Sequence, residues 1–419
     1  MHRPRVKHLA QLLTLATLLS AAGAQDRLLG AAGKFLFEYE LEAGAVADVE
    51  GTWLQPITPF QMPNAQSVGW IDGEVWVGTT DGVLRYGGTP LAYIDRFAQG
   101  TWIRGVWASP SGAFLRTLNG PITEVDSNGS VLQTIAFPAT VHDIEAYRAG
   151  YLVVTGNEVL YTDTNLQFIA EFGPTLATQV WQGSGEDFTP RHAAVLSDGR
   201  VAFSSFTHIV IALANGDFQA TIQAALFESH VFETVDGLIL VSGSGQLGLV
   251  HPDTNELLHF AFSGHLGSNI YSKPFSLLPG AASESGRGCT AGLNSTGTGA
   301  RIHLIGTHNH SRHTLTAIAT SLPPATLSMP IFGVNPFDAP FGDGRLCVSP
   351  FAPGLTRAPV TLSTSLGSTR TAFDFTTPGL GAAFGPGTTW YFQVLYRDPT
   401  GPGGSGFNGT DGVFISFEP

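Results

Sequence analysis

The chain has 419 residues and a formal net charge of −13, from 33 acidic and 20 basic residues. An acidic chain without a basic stripe lacks the electrostatic pattern of a nucleic-acid-binding protein, and anionic membranes would repel it. Its 51 glycines and 26 prolines, with alternating β-branched and aromatic residues, predict an all-β protein with many turns.

Residues 1–24 have the pattern of a secretory signal peptide. Three basic residues precede the apolar run LAQLLTLATLL, and an A-x-A cleavage site follows at Ala22-Gly23-Ala24. The apolar run is too short for a stable transmembrane helix, and no second long apolar run follows. We therefore expect an exported protein that resides in the periplasm, in the medium or at the cell surface. Loss of the three basic residues would leave a charge of −16, from 17 basic and 33 acidic residues.

Residues 66–262 contain five copies of one pattern, in which an apolar run, a turn with glycine and further short strands follow one another. The turn glycines are Gly73, Gly112, Gly150, Gly199 and Gly237, at intervals of 39, 38, 49 and 38 residues. A period near forty residues with four short strands in each unit is typical of β-propeller blades. Turns such as LSDGRVAFSS also give a generic resemblance to NHL-type propellers.

Strand-like segments on both sides of the repeats predict one more blade. Residues 35–41 and 46–49 precede the copies, and the segment NIYSKPFSLLPG follows them. We expect these segments to build a sixth blade, because strands from both ends would close the ring and remove its free edges. The alternative is a five-bladed ring in which the flanking strands form a plug. The predicted propeller domain covers residues 25–282.

A polar linker at 283–288 leads into a second domain, residues 289–419. Short alternating strands separated by Gly- and Pro-rich turns predict an antiparallel β-sandwich there. The two cysteines of the chain, Cys289 and Cys347, both lie in this domain. Export places thiols in an oxidising setting, which favours a disulfide between them. Two buried free thiols are the alternative.

Four stretches of the second domain carry a family resemblance. They are CTAGLNSTG from Cys289, PFGDGRLCV around Cys347, TTWYFQVLYRDP at 388–399 and the closing GFNGTDGVFISFEP. With them, residues 289–419 resemble a C-terminal module of exported proteins from planctomycetes and related bacteria, whose two cysteines usually occupy these positions. The resemblance implies export and an accessory β-sandwich, and it implies no reaction.

The start of the first strand in each repeat holds the main candidate site. Seven or eight positions before the turn glycines stand Gln66, Arg104, His142, His192 and His230. The first strand of a blade usually lines the channel of a propeller. Because three imidazoles and a water can form an open zinc site, the three histidines are candidate metal ligands. The layout is similar to that of propeller lyases such as peptidylamidoglycolate lyase, although no local motif matches.

Arg104, Asp143 and Arg191 accompany these histidines as candidate binding residues. The alternative interpretation is that each histidine only bonds neighbouring loops or faces solvent. No cofactor is required by any motif. Zinc is the metal that the histidines would hold, and calcium is the metal that converging carboxylates would hold.

Two further groups have weaker signals. One is histidine-rich and comprises His303, His308, His310 and His313. Dense histidine can bind a transition metal, but no nearby cysteine or carboxylate completes a set. The other group is acidic and comprises Asp72, Asp81, Asp126, Asp198 and Asp236. We interpret those aspartates as turn residues that bond their own backbone.

The sequence contains no nucleophile elbow, H-E-x-x-H motif, phosphate loop or dinucleotide fingerprint. We therefore expect an exported propeller that binds an extracellular ligand or protein. One alternative is an enzyme, a metal-dependent lyase or lactone hydrolase that uses the channel histidines. The other is a structural component of the cell surface.

Overall fold

A computed structural model describes residues 26–32, 35–42, 45–46, 52–54, 63–88, 91–118, 120–156, 158–174, 176, 189–205, 208–223, 230–234, 237–243, 246–262, 275–278, 286–306, 315–373 and 384–417. The predicted signal peptide lies outside the described residues. Within them, every named element is a β-strand. No helix in this part of the chain has the length and apolarity needed to cross a bilayer.

Four strands precede the repeats: β1 Asp26–Ala32, β2 Phe35–Glu42, β3 Ala45–Val46 and β4 Thr52–Leu54. The five repeats then form five separate four-stranded antiparallel sheets, in each of which consecutive strands pair. Their strands are β5 Ala65–Ile71, β6 Glu74–Thr79, β7 Gly82–Gly87, β8 Ala92–Phe97; β9 Ile103–Ser109, β10 Gly112–Thr117, β11 Ile122–Asp126, β12 Val131–Ile135; β13 Val141–Tyr147, β14 Gly150–Thr155, β15 Val159–Thr162, β16 Phe168–Glu171; β17 His192–Val195, β18 Val201–Ser204, β19 His208–Ala212, β20 Phe218–Gln223; β21 His230–Glu233, β22 Ile239–Gly243, β23 Gln246–His251 and β24 Glu256–Phe262.

The first hairpin shows how the local sequence determines the turn between two strands of a sheet. Asp72 and Gly73 form its two-residue turn with φ angles of 49° and 87°. Positive φ at both positions is the type I′ geometry, which matches the twist of the flanking strands and favours Asp-Gly. The interpretation of Asp72 as a turn residue is thus consistent with its backbone.

Apolar side chains pack between successive sheets. One buried cluster joins Trp76 of the first repeat to Val106 of the second, and similar clusters join the second to the third, the third to the fourth and the fourth to the fifth. The first strands β5, β9, β13, β17 and β21 also contact one another in succession. Each sheet therefore buries a face against the next one, which is propeller-like packing.

A larger sheet combines both ends of the repeat region. β25, Phe275–Leu278, pairs with β1, β1 pairs with β2, and β2 pairs with β4. Both β25 and β1 contact β5, the first strand of the first repeat. Strands were predicted at 35–41 and 46–49. β2 covers the first range, and β3 overlaps the second at residue 46, while residues 47–49 lie outside the described residues. β1 and β4 are additional strands.

The remaining strands are β26 Gly286–Arg287, β27 Arg301–Gly306, β28 Leu315–Thr320, β29 Leu327–Gly333, β30 Pro336–Phe341, β31 Gly344–Val348, β32 Thr356–Arg357, β33 Thr361–Leu362, β34 Thr369–Phe373, β35 Thr389–Asp398, β36 Gly406–Gly409 and β37 Val413–Ser416. Gly286 and Arg287, placed in the linker by the sequence analysis, pair with β37. β27 pairs in parallel with β3, so the large sheet continues through β27 and β28 to β34.

A second sheet, of seven strands, is built around β29, β35 and β37. One apolar cluster contains Phe332 and Phe392 from this sheet, and Ile302 and Ala317 from the large sheet. The two sheets therefore share a core. Cys289 and Cys347 lie at disulfide distance, with 5.6 Å between their Cα atoms.

Candidate functional site

In the first three repeats, the pairing between the first and second strands is irregular where the first strand begins. The register of the pairing shifts at the second residue of each of these first strands. The residues at these shifts are Gln66, Arg104 and His142. A bulge of this kind changes the direction of a side chain and often lies next to a functional site.

The strand register places the candidate residues at two levels. Asp143, His192 and His230 lie on the first strands of their repeats and pair with Val154, Ser204 and Ser242 on the second strands. Each of these partners pairs in turn with a residue of the third strand that lies five positions later in the chain. These three residues are therefore equivalent, and they form a second level with Ser67 and Gly105. Residues one position earlier form the first level: Gln66, Arg104, His142 and Arg191.

The two levels differ in burial. Arg104, His142 and Arg191 of the first level are half-buried. Every second-level residue is buried, with Asp143 at 0%, His230 at 2% and His192 at 5% exposure. Three of the four first-level residues are therefore accessible polar groups over a buried second level, and Gln66, at 8% exposure, is the exception.

This arrangement corrects the alignment made on the turn glycines, which treated His142, His192 and His230 as equivalent. Gly73 is the second residue of its turn, whereas Gly112 and Gly150 begin the next strand. Counting from glycine therefore does not preserve register, and a slip of one residue moves a side chain to another face.

Asp143 is the centre of the second level. Its Oδ1 accepts hydrogen bonds from Trp107 Nε1 at 2.8 Å and from the Ile144 amide at 3.0 Å. Its Oδ2 accepts one from the Ala193 amide at 3.0 Å. The carboxylate therefore ties three neighbouring repeats together. Trp107 packs in the apolar cluster between the second and third repeats, and its ring N–H serves this network as well.

His192 and His230 stack beside this carboxylate. Their ring centroids are 3.8 Å apart, and His192 Nδ1 lies 3.7 Å from Asp143 Oδ2. Burial, with a contribution from His192, lowers the pKa of His230 well below its ordinary value. His230 is consequently neutral at pH 7, which suits a buried ring that would lose hydration on charging.

In the first level, an arginine contacts a histidine. Arg191 Nη1 lies 3.0 Å from His142 Nε2 and 3.3 Å from its Nδ1. Burial, followed by the positive charge of Arg191, lowers the pKa of His142 to about 3. His142 is thus neutral beside the guanidinium, which lies at similar distances from both of its ring nitrogens. Nearby, the guanidinium carbon of Arg104 lies 5.1 Å from the ring centroid of Trp102, in a cation–π contact.

Arg116 is a site residue that the sequence analysis missed. It lies on β10 opposite Gly105, is 4% exposed, and donates from Nη1 to the Val141 carbonyl. Burial, together with the charges of Arg104 and Arg191, lowers the pKa of Arg116 to about 10. The segment GAFLRT could have identified Arg116, because an arginine in an otherwise apolar strand is rarely buried unless it has a partner.

No three His, Cys, Asp or Glu side chains gather around a common point in the described part of the chain. His142 contacts a guanidinium, and this cation would repel a metal ion bound to the same ring. The zinc site at His142, His192 and His230 stays a prediction that this geometry does not support. Calcium likewise gains no support from Asp81 and Asp126. Asp81 accepts a hydrogen bond from the Gly100 amide of a neighbouring loop, and Asp126 accepts two from the backbone of its own turn.

Within the histidine-rich segment, His303 is 3% exposed, and its Nε2 lies 3.2 Å from Thr320 Oγ1. It is therefore buried on β27, on the face opposite to that of Ile302 and Leu304. His308, His310 and His313 lie outside the described residues.

Comparisons with known proteins leave the family open. No family model matches the chain, and no curated protein matches it significantly. Among solved structures, the WD40 propeller domain of Doa1 is similar, with 14% identity, a TM-score of 0.42 and coverage of 57% of this chain and 80% of that one. A Bacteroides caccae protein of unknown function has 18% identity, a TM-score of 0.43 and coverage of 61% and 99%.

A third structure, BBS1N in complex with ARL6DN, has 12% identity, a TM-score of 0.38 and coverage of 70% of this chain and 83% of that one. Values this low carry no argument about function. The propeller-like assignment therefore rests on the repeat sheets and on the apolar clusters between them.

Proposed function

We propose that this chain is an exported protein whose propeller binds a ligand or partner at the end of the ring where the first strands begin. The observation that carries this proposal is the two-level cluster, in which half-buried Arg104, His142 and Arg191 lie over the buried Asp143 network. Polar groups held by a hydrogen-bonded layer beneath them are preorganised for binding. Concave sites with a few convergent polar groups are typical ligand sites.

The proposal includes a particular domain organisation. The sheet order β25-β1-β2-β4 supports a sixth blade closed by strands from both ends of the chain. The core shared by two sheets supports a β-sandwich in the second domain. Cysteines at disulfide distance fit the oxidising compartment that the signal peptide implies, in the periplasm, in the medium or at the cell surface.

The enzyme alternative gains no observation of its own. A metal-dependent lyase or lactone hydrolase would need three ligands around an open position, and the described histidines are divided between two levels. A purely structural surface component would not require accessible arginines over a buried network. We therefore retain ligand binding as the function that this geometry supports best.

The test is thermal unfolding of the mature chain against a panel of small molecules sorted by class: organic acids, phosphates, sugars, amines and neutral amides. We expect at least one class to raise the unfolding temperature, because a ligand that binds only the folded state stabilises it. The same class should lose its effect in Arg191→Met.

Arg345→Met is the matched control, since Arg345 forms a partly exposed ion pair with Asp338 in the second domain. It removes the same charge away from the repeats, and its response should equal that of the wild type. If no class stabilises the wild type, or if Arg191→Met responds as the control does, ligand binding at this cluster is wrong.

A further inference from the structure

We propose that the ligand is a small organic acid, whose carboxylate binds beside Arg116 and whose apolar body fills the adjoining cavity. This inference rests on the proposed function, because Arg116 lies opposite Gly105 of the second level. The cavity beside it adjoins the first-level residues Arg104, His142 and Arg191, which are not part of its lining.

The cavity lies between two connections of the second repeat, the turn that follows β10 and the segment between β12 and β13. Its volume is about 570 Å³, within the range of about 300–1,000 Å³ that is usual for small-molecule sites. Arg116 and Val141, which bond to each other, both line it. The backbone of Trp102, whose ring contacts Arg104, accepts a hydrogen bond from Leu118 in the cavity wall.

Apolar side chains form part of the described lining. Eight of its twelve residues are apolar, and the larger of them are Leu118, Pro121, Ile122, Phe137, Pro138 and Val141. Polar atoms contribute about half of the lining surface, so a ligand that matches it combines an apolar body with a polar group. A polyamine does not match it, because its positive charges would lie beside Arg116.

Arg116 supplies the polar end. Its Nε is buried and has no hydrogen-bond partner among the described residues, and no described carboxylate forms an ion pair with it. The charges of Arg104 and Arg191 disfavour the charged form of Arg116, whereas the charge of Asp143 favours it. An anion in the cavity would favour it further, because hydrogen bonds between a guanidinium and a carboxylate are charge-assisted.

A single carboxylate fits this setting better than a phosphate. Arg116 is the one charged residue of the cavity lining, and its Nη1 already donates to Val141. A phosphate dianion would need further donors, because a buried charge is costly unless it is paired and hydrogen-bonded. The acid that fits has one charged group and a compact aliphatic or aromatic body.

Titration calorimetry with phenylacetate as the probe tests this inference. We expect phenylacetate to bind the wild type, and phenylacetamide to bind at least about tenfold more weakly because it lacks the charge. Arg116→Met should weaken phenylacetate binding by at least about tenfold, which corresponds to about 1.4 kcal/mol. Arg116→Lys should retain part of the affinity, and Arg345→Met should retain all of it. Circular dichroism and the unfolding temperature of each variant establish that it is folded.

Three results would overturn the inference: phenylacetate and phenylacetamide bind equally, inorganic phosphate binds more tightly than phenylacetate, or folded Arg116→Met and Arg116→Lys both bind phenylacetate as the wild type does. Absence of phenylacetate binding to the wild type overturns it as well. In that event, stabilisation by a sugar or an amine that is lost in Arg191→Met would leave the proposed function intact. If no class of compound stabilises the wild type, both the proposed function and this inference are wrong.

Discussion

Arg191 of the fourth repeat and His142 of the third are in direct side-chain contact, with Arg191 Nη1 3.0 Å from His142 Nε2 and 3.3 Å from its Nδ1. This contact favours a neutral imidazole, because a protonated ring would place a second positive charge beside the guanidinium. It therefore links the protonation state of His142 to the position of an arginine in the proposed binding site. Acid would break the contact and place two positive charges together.

Acidification should destabilise the fold through the buried histidines. The pKa of His142 is lowered from 6.5 to about 3, and that of His230 is also lowered, so the unfolded chain binds more protons than the folded one below its own histidine pKa. Stability is therefore fully present above about pH 6.5 and is lost as the pH falls from there towards about 3. Thermal unfolding at a series of pH values measures this loss.

His142→Gln isolates the contribution of one ring, since carboxylates also titrate in acid. The variant keeps a polar acceptor and removes the titrating group, so its unfolding temperature should fall less steeply with acid than that of the wild type. Parallel curves for the two proteins would show that His142 does not have a lowered pKa.

Asp143→Asn should be strongly destabilising. Asp143 accepts hydrogen bonds from Trp107, Ile144 and Ala193, and an amide would direct its own N–H groups at one or more of these donors. Hydrogen bonds to a charged group contribute about 1.5–3 kcal/mol each, so we expect a loss of at least about 3 kcal/mol. Chemical denaturation measures the free energy of unfolding.

Asp126→Asn is the matched control. Asp126 accepts two backbone hydrogen bonds through Oδ1 in an exposed turn, and asparagine keeps that oxygen. Asp126→Asn should therefore change the free energy of unfolding much less than Asp143→Asn does, as is usual for a surface substitution. Equal costs for Asp143→Asn and Asp126→Asn would mean that the Asp143 network does not stabilise the contact between repeats.

Deletion of residues 25–51 should destabilise both parts of the molecule. It removes β1, β2 and β3, which pair with β25 and, through β3, with β27 of the second domain. The ring would then have an open edge, and the large sheet would be interrupted. We expect a lower unfolding temperature and a broader transition than in a chain that lacks only residues 1–24. An unchanged transition would contradict the closure of the ring by strands from both ends.

Replacing both cysteines by alanine should destabilise the second domain. Cys289 and Cys347 are 58 residues apart, and in the chain-entropy model a crosslink over such a loop contributes about 4 kcal/mol. Hydrogen exchange resolved by peptide should show faster exchange in β27–β37 and unchanged exchange in β5–β24. Equal acceleration in both regions, or in neither, would contradict a local role for this crosslink.

The architecture of the repeats could be predicted from the sequence, because the turn glycines recur at nearly constant intervals. Each interval spans a complete four-stranded unit, so small errors in the predicted strand bounds do not hide the repeat. The pairing of β1 with β25 was also predictable in outline, since strand-like segments flank the repeats on both sides. β1 itself was missed, because DRLLGAA lacks the alternating β-branched pattern that marks a strand.

The site was predicted less well because it depends on register. Arg104, Asp143 and Arg191 were identified as site residues, yet only the ladder shows that Asp143 is equivalent to His192 and that His142 is equivalent to Arg191. Arg116 lies on a second strand, and its approach to Val141 depends on how two sheets pack. Such a contact between repeats leaves no pattern within a single repeat.

The most direct test of the account is a crystal structure of the mature protein with para-bromophenylacetate, in which anomalous scattering locates the bromine. The account predicts a bromine peak in the cavity between the β10–β11 turn and the β12–β13 connection, with the carboxylate bonded to Arg116. A fully occupied ligand elsewhere on the molecule, with this cavity empty, would contradict it.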